Sequence, residues 1–429
     1  MNSTDDDRIN DINNLVSLFE AGEMSIVIPR AIELIREYQN GTAYNILALA
    51  HKKLGNYSIA QGIYEKLLVL SPKDIHFLNN LGNIYQDIGK LDKAEEMYNR
   101  SLVVQPQNFE TSISLGNVFL NTSRLDQALS TLKLCIKTNN EITPEQRDRC
   151  IYKIAEIYRK KGNLFVEEAI HYYSQSNQPL SREHKLELIY VSKDRSTYFE
   201  AEEGVNTKGE INPLLASIQT HASIRYGTTD VNLFCKDPFQ YIYHSKLTLG
   251  EGFDDNLVNK LLELKDKLSS SSQVLLKNGQ QSAGDFLLSN DPSVQLIKNI
   301  ILNRINSYRN NHSNSNDGFI KSWPQNSKLH GWIIDIKKGG SLESHMHKLG
   351  WLSGSLYLQL KKTYKSNQGN IVFDLKGATY PCDSKKFPSK EFHIEKGDIV
   401  LFPSSIFHKT IPFNSSENRI TLAFDVKPI

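Results

Sequence analysis

A period of 34 residues runs through the first part of the chain and limits what it can fold into. Between positions 75 and 108, Leu81, Gly82, Tyr85, Gly89, Leu91, Ala94, Tyr98 and Pro106 mark one unit. Ala48, Gly55, Tyr57, Ala60, Tyr64 and Pro72 lie one period earlier, and Gly116, Phe119, Leu125 and Ala128 one period later. A looser copy follows with Ala155, Tyr158, Gly162, Ala169 and Tyr173, after an insertion around Thr143-Pro144, and positions 15–39 read as a degenerate first copy. The small residues at Gly82 and Ala94 let two antiparallel helices approach closely, Tyr85, Leu91 and Tyr98 fill the space between them, and Pro106 ends the second helix. A unit of this kind leaves an apolar face uncovered, so its neighbours must stack into a grooved superhelix.

This pattern resembles the tetratricopeptide repeats, over residues 8–178. The resemblance implies an α-solenoid whose groove takes a protein or peptide. Asn45, Asn79 and Asn83 fall on the first helices of their units, where an asparagine can bond a peptide backbone or simply face solvent.

At 429 residues the chain exceeds one ordinary domain. Its formal net charge of +2, with 39% hydrophobic and 23% charged residues, suits a globular protein and gives no sign of a nucleic-acid or membrane specialist. An acidic start (Asp5, Asp6, Asp7) without an apolar run, and no stretch of about 18 apolar residues, imply neither a secretory signal nor a membrane span. Cys135, Cys150, Cys235 and Cys382 are widely spaced, as in a reducing, cytoplasmic setting.

Residues 179–238 lose the repeat and read as a polar connector with short elements, with room for one terminal helix packed on the last repeat. From 239 onward the pattern changes to two helical stretches, Asn256–Leu268 and Pro292–Tyr308, and then to short strands. Those strands are read near Phe239–Tyr243, Gly331–Ile336, Ser353–Leu360, Asn370–Asp374, Asp398–Phe402 and Arg419–Asp425, with turns at Gly339-Gly340, Gly369 and Gly397. The whole is an α+β multidomain chain whose 239–429 portion is a small sandwich or jelly roll with helices packed outside it.

The chemistry concentrates there. His345 and His347 stand two apart on an extended segment and so point to one side, and His408 lies on a later strand. Three such groups leave metal positions open, the arrangement used by non-heme Fe(II) oxygenases. Together with Trp351-Leu-Ser-Gly-Ser-Leu-Tyr357, Gly397-Asp-Ile-Val-Leu-Phe-Pro-Ser404 and Glu417-Asn-Arg-Ile-Thr-Leu-Ala-Phe424, these residues make the stretch resemble the putative 2-oxoglutarate-Fe(II) oxygenases, a family often fused to tetratricopeptide repeats. The resemblance implies a double-stranded β-helix, Fe(II) as metal, 2-oxoglutarate as cosubstrate and dioxygen as oxidant in a hydroxylation. It assigns Arg419 to the distal carboxylate of 2-oxoglutarate. Thr421 shares that strand face, and Tyr357 shares one face of its own strand with Ser355 and Ser353, from which it could touch the cosubstrate.

One departure stands out. The wider superfamily presents His-x-Asp or His-x-Glu, whereas this chain has His345-x-His347, so the ligands are either three imidazoles or one of the pair with His408. Glu343 and Asp335 are nearby carboxylates that could support them. Trp332 and Trp351 read as core or cavity wall. Two other functions fit parts of the pattern: a repeat scaffold with a degenerate barrel, and a three-histidine metal cupin without 2-oxoglutarate, which would have no use for Arg419.

Overall fold

The structure, a computed structural model, describes residues 3–138, 142–206, 209–268, 270–271, 273–360, 367–383 and 385–429. Helices α1 (Ser3–Glu20), α2 (Met24–Tyr38), α3 (Gly41–Lys53), α4 (Tyr57–Leu70), α5 (Ile75–Asp87), α6 (Leu91–Val104), α7 (Phe109–Asn121) and α8 (Leu125–Thr138) form consecutive antiparallel pairs, and α9 (Pro144–Lys161) and α10 (Val166–Gln175) continue the series. The period is visible in the backbone. Asn40, Asp74 and Asn108 cap α3, α5 and α7, each accepting a hydrogen bond from an N–H of the first turn. Gly55 and Gly89 take positive φ in the turns that follow. A Cβ at Gly82 would sit 2.6 Å from the Tyr98 ring, which explains why the crossing of α5 and α6 needs a glycine.

The asparagines of the first helices are occupied within the repeats. Asn45 Oδ1 accepts from Tyr64 Oη (2.7 Å) and Asn80 Nδ2 (2.9 Å), Asn79 Oδ1 from Thr111 Oγ1 (2.8 Å) and Asn83 Oδ1 from Tyr98 Oη (2.7 Å). Their carbonyl oxygens tie neighbouring helices together.

Residues 179–238 differ from the expected run of short elements. They hold α11 (Ser181–Ser192), α12 (Arg195–Asn206) and α13 (Pro213–Tyr226). The reason is burial: Pro213 through Ala222 are all buried, and a helix covered on every side carries no one-sided apolar stripe to read.

The C-terminal part begins with a 3-10 turn, Pro238–Tyr241, where a strand is expected. Asp237 caps this turn through the Phe239 N–H. Strands β1 (Tyr243–Lys246), β2 (Ser270–Ser271), β3 (Leu276–Ser282), β4 (Ser327–Leu342), β5 (Leu352–Gln359), β6 (Ile371–Asp374), β7 (Ser389–Phe392), β8 (Asp398–Pro403), β9 (Phe407–Thr410) and β10 (Arg419–Pro428) follow. They make a seven-stranded sheet in the order β1-β8-β5-β10-β4-β3-β2 and a three-stranded sheet in the order β7-β6-β9. Tyr357, Ile371, Phe373, Val400 and Phe402 pack between the two, as in a double-stranded β-helix. Helices α14 (Asp255–Lys265), α15 (Pro292–Asn311) and the short α16 (Gly318–Lys321) flank them. The stripe Val294, Ile297, Ile300, Ile301 and Ile305 of α15 is buried, as its spacing predicts.

The chain divides into two compact units. One comprises Met1–Ile157, Lys267–Ser272 and Ser282–Pro292; the other comprises Tyr158–Asp266, Gln273–Gln281 and Ser293–Ile429. In the first, Gly284 packs against the Gly55 turn so closely that a Cβ would lie 3.0 Å from the Gly55 backbone. In the second, α11–α13 share one apolar cluster with Met346, Tyr380 and Phe407. No helix of the described residues is long and apolar enough to cross a membrane.

Candidate metal centre

Two short stretches of backbone carry the histidines. His345 and His408 form an isolated antiparallel bridge, His345 N–H to His408 O at 3.1 Å and the reverse at 2.9 Å. The His347 N–H donates to Ser404 O at 3.2 Å. Alternation in the extended chain then separates the neighbours: Met346 and Phe407 enter the α11–α13 cluster, while the three imidazoles gather on the barrel side. One nitrogen of each imidazole lies within 4.8 Å of the others.

Each of the first two rings is oriented by its second nitrogen. His345 Nδ1–H donates to the Glu343 carbonyl (2.8 Å) and His347 Nδ1–H to Asp425 Oδ1 (2.5 Å), which turns both Nε2 lone pairs inward, 3.3 Å apart. Nitrogens each about 2.1 Å from one cation show such a spacing. His408 is buried, with Phe402 beside it at 4.7 Å between ring centroids, and its Nδ1 has no hydrogen-bond partner among the described residues. Burial, followed by the neighbouring His347, pushes the His345 pKa down to about 4. Burial, followed by His345 and His347, lowers that of His408 well below the ordinary range. Neutral imidazole is the ligating form, and three rings that each bring one nitrogen within 4.8 Å of the others fit a metal ion.

The same cavity, about 360 Å³, extends from the histidines to Arg419. In β10 the residues Arg419, Thr421, Ala423 and Asp425 alternate onto one face, opposite Ile336, Ile334, Trp332 and His330 of β4. Thr421, Ala423 and Asp425 also pair with Tyr357, Ser355 and Ser353 of β5. Arg419 is 3% exposed; it donates to Gly369 O (3.2 Å) and Thr421 Oγ1 (3.1 Å), and its guanidinium carbon lies 4.8 Å from the centre of the Tyr357 ring. Among the described residues it has no carboxylate partner. Tyr357 Oη is buried and has no hydrogen-bond partner among the described residues. The structure therefore brings together all six residues singled out from the sequence: His345, His347, His408, Arg419, Thr421 and Tyr357.

The two carboxylates nearest in sequence are turned elsewhere. The Glu343 side chain pairs with Lys277, and Asp335 binds Lys265 Nζ (2.7 Å) and Asn418 Nδ2 (2.8 Å). Asp425 supports the histidines instead. The signal for it was the two-residue alternation continued from Arg419 through Thr421. Trp332 lines the cavity beside His347, ring centroids 5.8 Å apart, whereas Trp351 belongs to the core and donates Nε1–H to Phe319 O.

Residues 330–425 match the family model described as "Putative 2OG-Fe(II) oxygenase", and residues 41–74 and 77–108 match tetratricopeptide repeat models. The chain thus carries tetratricopeptide repeats and, in its C-terminal part, a segment matching that oxygenase model. No curated relative matches it. Similar solved structures include a tetratricopeptide repeat protein from Parabacteroides merdae ATCC 43184, 15% identical over 60% of this chain and 98% of that one, with a TM-score of 0.41. Pseudomonas aeruginosa pilF is 17% identical over 48% of this chain and 92% of its own, TM-score 0.40. TTC0263, a tetratricopeptide repeat protein of Thermus thermophilus, is 21% identical over 45% of this chain and 98% of its own, TM-score 0.34.

Proposed function

We propose that this protein is an Fe(II)- and 2-oxoglutarate-dependent dioxygenase that hydroxylates a protein or peptide side chain recruited through its repeats. The observation that carries the reading is Arg419, a buried guanidinium without a carboxylate partner among the described residues, lining the same cavity as three convergent imidazoles. An unpaired buried cation is costly, so the cavity is built for an anion, and a planar fork of donors suits a carboxylate. A three-histidine metal cupin without cosubstrate would leave Arg419 unexplained.

In this reading His345, His347 and His408 hold Fe(II), Arg419 holds the distal carboxylate of 2-oxoglutarate, and Thr421 and Tyr357 are placed to bond the same molecule. The iron and its cosubstrate supply dioxygen activation, with 2-oxoglutarate leaving as succinate and carbon dioxide while a substrate C–H gains hydroxyl. Tyr357, Phe402 and Ile371 wall the cavity and restrict water. The repeats, as a peptide-binding superhelix, favour a macromolecular substrate. Free, mostly buried cysteines suit a cytoplasmic location.

Anaerobic titration of metal-free protein with Fe(II) and then 2-oxoglutarate tests the site. A weak visible charge-transfer band is expected, lost in His408→Ala and weakened in Arg419→Ala. Fe(II) binding without a band would favour the cupin reading, and no Fe(II) binding would favour the scaffold.

A further inference from the structure

Three imidazoles give a metal ion no negative charge, yet a buried carboxylate lies one hydrogen bond behind them. Asp425 is 4% exposed, and its Oδ1 accepts from His347 Nδ1 at 2.5 Å and from Ser353 Oγ at 2.8 Å. Ser353 Oγ lies 2.8 Å from Ser404 Oγ, and the Ser404 carbonyl receives the His347 N–H. A Cβ at Gly350 would fall 2.6 Å from Ser404 Oγ and 3.3 Å from the Asp425 carboxyl, so the chain passes this cradle as glycine.

We propose that Asp425 is the positioning residue of the metal centre: it locks His347 with Nε2 toward the ion and lends, through that ring, the charge that a directly bound carboxylate supplies in the wider superfamily. The inference rests on the metal-centre reading above. An imidazole whose far nitrogen donates to a carboxylate is fixed in one tautomer and becomes a stronger donor, and removing such a partner commonly weakens metal binding about 10- to 100-fold. Among the described residues the surrounding groups leave no rival. Glu343 and Asp335 are paired with other residues, and Lys427 Nζ, 4.0 Å from Asp425 Oδ2, approaches the oxygen that His347 does not use.

The test uses the full chain, free of metal, titrated anaerobically with Co(II). Asp425→Asn keeps the size and the acceptor oxygen but removes the charge, whereas Ser353→Ala removes a hydrogen bond from the same network and keeps the charge. Asp425→Asn should lower Co(II) affinity by about 10- to 100-fold and shift the visible Co(II) absorption, while Ser353→Ala should stay within roughly threefold of the unsubstituted protein. Equal affinity in Asp425→Asn and the unsubstituted protein overturns the inference, as does an equal loss in both variants, which would mean a packing role. Nitrogen-15 NMR of the metal-free protein needs no variant: His347 must appear as the Nδ1–H tautomer with a strongly hydrogen-bonded proton, and the opposite tautomer is fatal to the proposal. If the unsubstituted protein binds no Co(II), the metal-centre reading itself falls, an outcome distinct from the others.

Discussion

Arg419 shows how one residue can report a missing ligand. Its burial lowers the guanidinium pKa, an effect that neighbouring Tyr357 partly offsets, but no acid among the described residues compensates the charge. Replacing Arg419 by Ala should therefore leave Co(II) binding intact and weaken 2-oxoglutarate binding to the Co(II) form by roughly 10- to 100-fold, since charge-assisted hydrogen bonds contribute about 1.5–3 kcal/mol. Calorimetric titration with 2-oxoglutarate measures it, and unchanged affinity would remove the anchor. A second residue-level prediction concerns His221, 1% exposed, stacked on Phe387 at 4.1 Å between ring centroids and in contact with the Tyr190 hydroxyl. Burial pushes its pKa down to about 4, against about 6.5 in an unfolded chain. Between those values the unfolded state holds more protons, so this histidine's contribution is full above pH 6.5 and declines as the pH falls toward 4, by on the order of 3 kcal/mol. Glu183, raised to about 7 by burial and then by Glu210, acts in the opposite sense. The clean comparison is thus between the unsubstituted protein and His221→Gln, whose urea midpoint should vary less steeply with pH between 6.5 and 4.

Elements differ in how much of themselves they show in sequence. The repeat helices were readable because the same residue returns to the same job: Gly55 and Gly89 turn, and Gly82 and Gly116 meet Tyr98 and Leu132; the caps Asn40, Asp74 and Asn108 keep the same period but were seen only in the structure. Gly82→Ala should destabilise the protein by about 1–3 kcal/mol, because its methyl would overlap a fully buried ring that has nowhere to retreat. Thermal unfolding would show this, and an unchanged midpoint would mean the crossing of α5 and α6 is looser than it looks. The site strands were readable for a related reason. The alternation through Arg419 and Thr421, and the His345-x-His347 spacing, survive because one strand face is a cavity. Asp425 lay on that same alternation but outside any motif. Helix α13 was hidden by its burial on all sides, and the Pro238–Tyr241 turn by a strand-like alternation that Asp237 and Pro238 override.

For the whole molecule, the telling feature is where the histidine segments take their support. Met346, between His345 and His347, and Phe407, next to His408, both enter the cluster formed by Leu186, Ile189, Tyr190, Tyr198, Leu214, Leu215 and Ile218. A polar clamp lies beside it. Glu187 accepts from Lys348 Nζ (3.1 Å) and lies 3.2 Å from His184 Nδ1; burial would raise its carboxyl, but His184, Lys348 and Arg159 hold it at about 2. A fragment limited to 239–429 loses all of these partners. Met346, Tyr380 and Phe407 are the large apolar side chains it leaves uncovered, and at about 1.5–3 kcal/mol each their loss is of the same order as the roughly 5–15 kcal/mol that keeps a domain folded. We therefore expect a fragment starting at residue 239 to be strongly destabilised, partly unfolded at about 25 °C and weakened in Co(II) binding. Within the full chain, Glu187→Ala should cost about 1–3 kcal/mol by removing the buried carboxylate that Lys348 and Arg159 share at the surface of the cluster. Circular dichroism and Co(II) titration of both proteins check this. A folded, metal-binding 239–429 fragment would show that the histidines need only their own strands, and that α11–α13 merely cover a face that is stable without them.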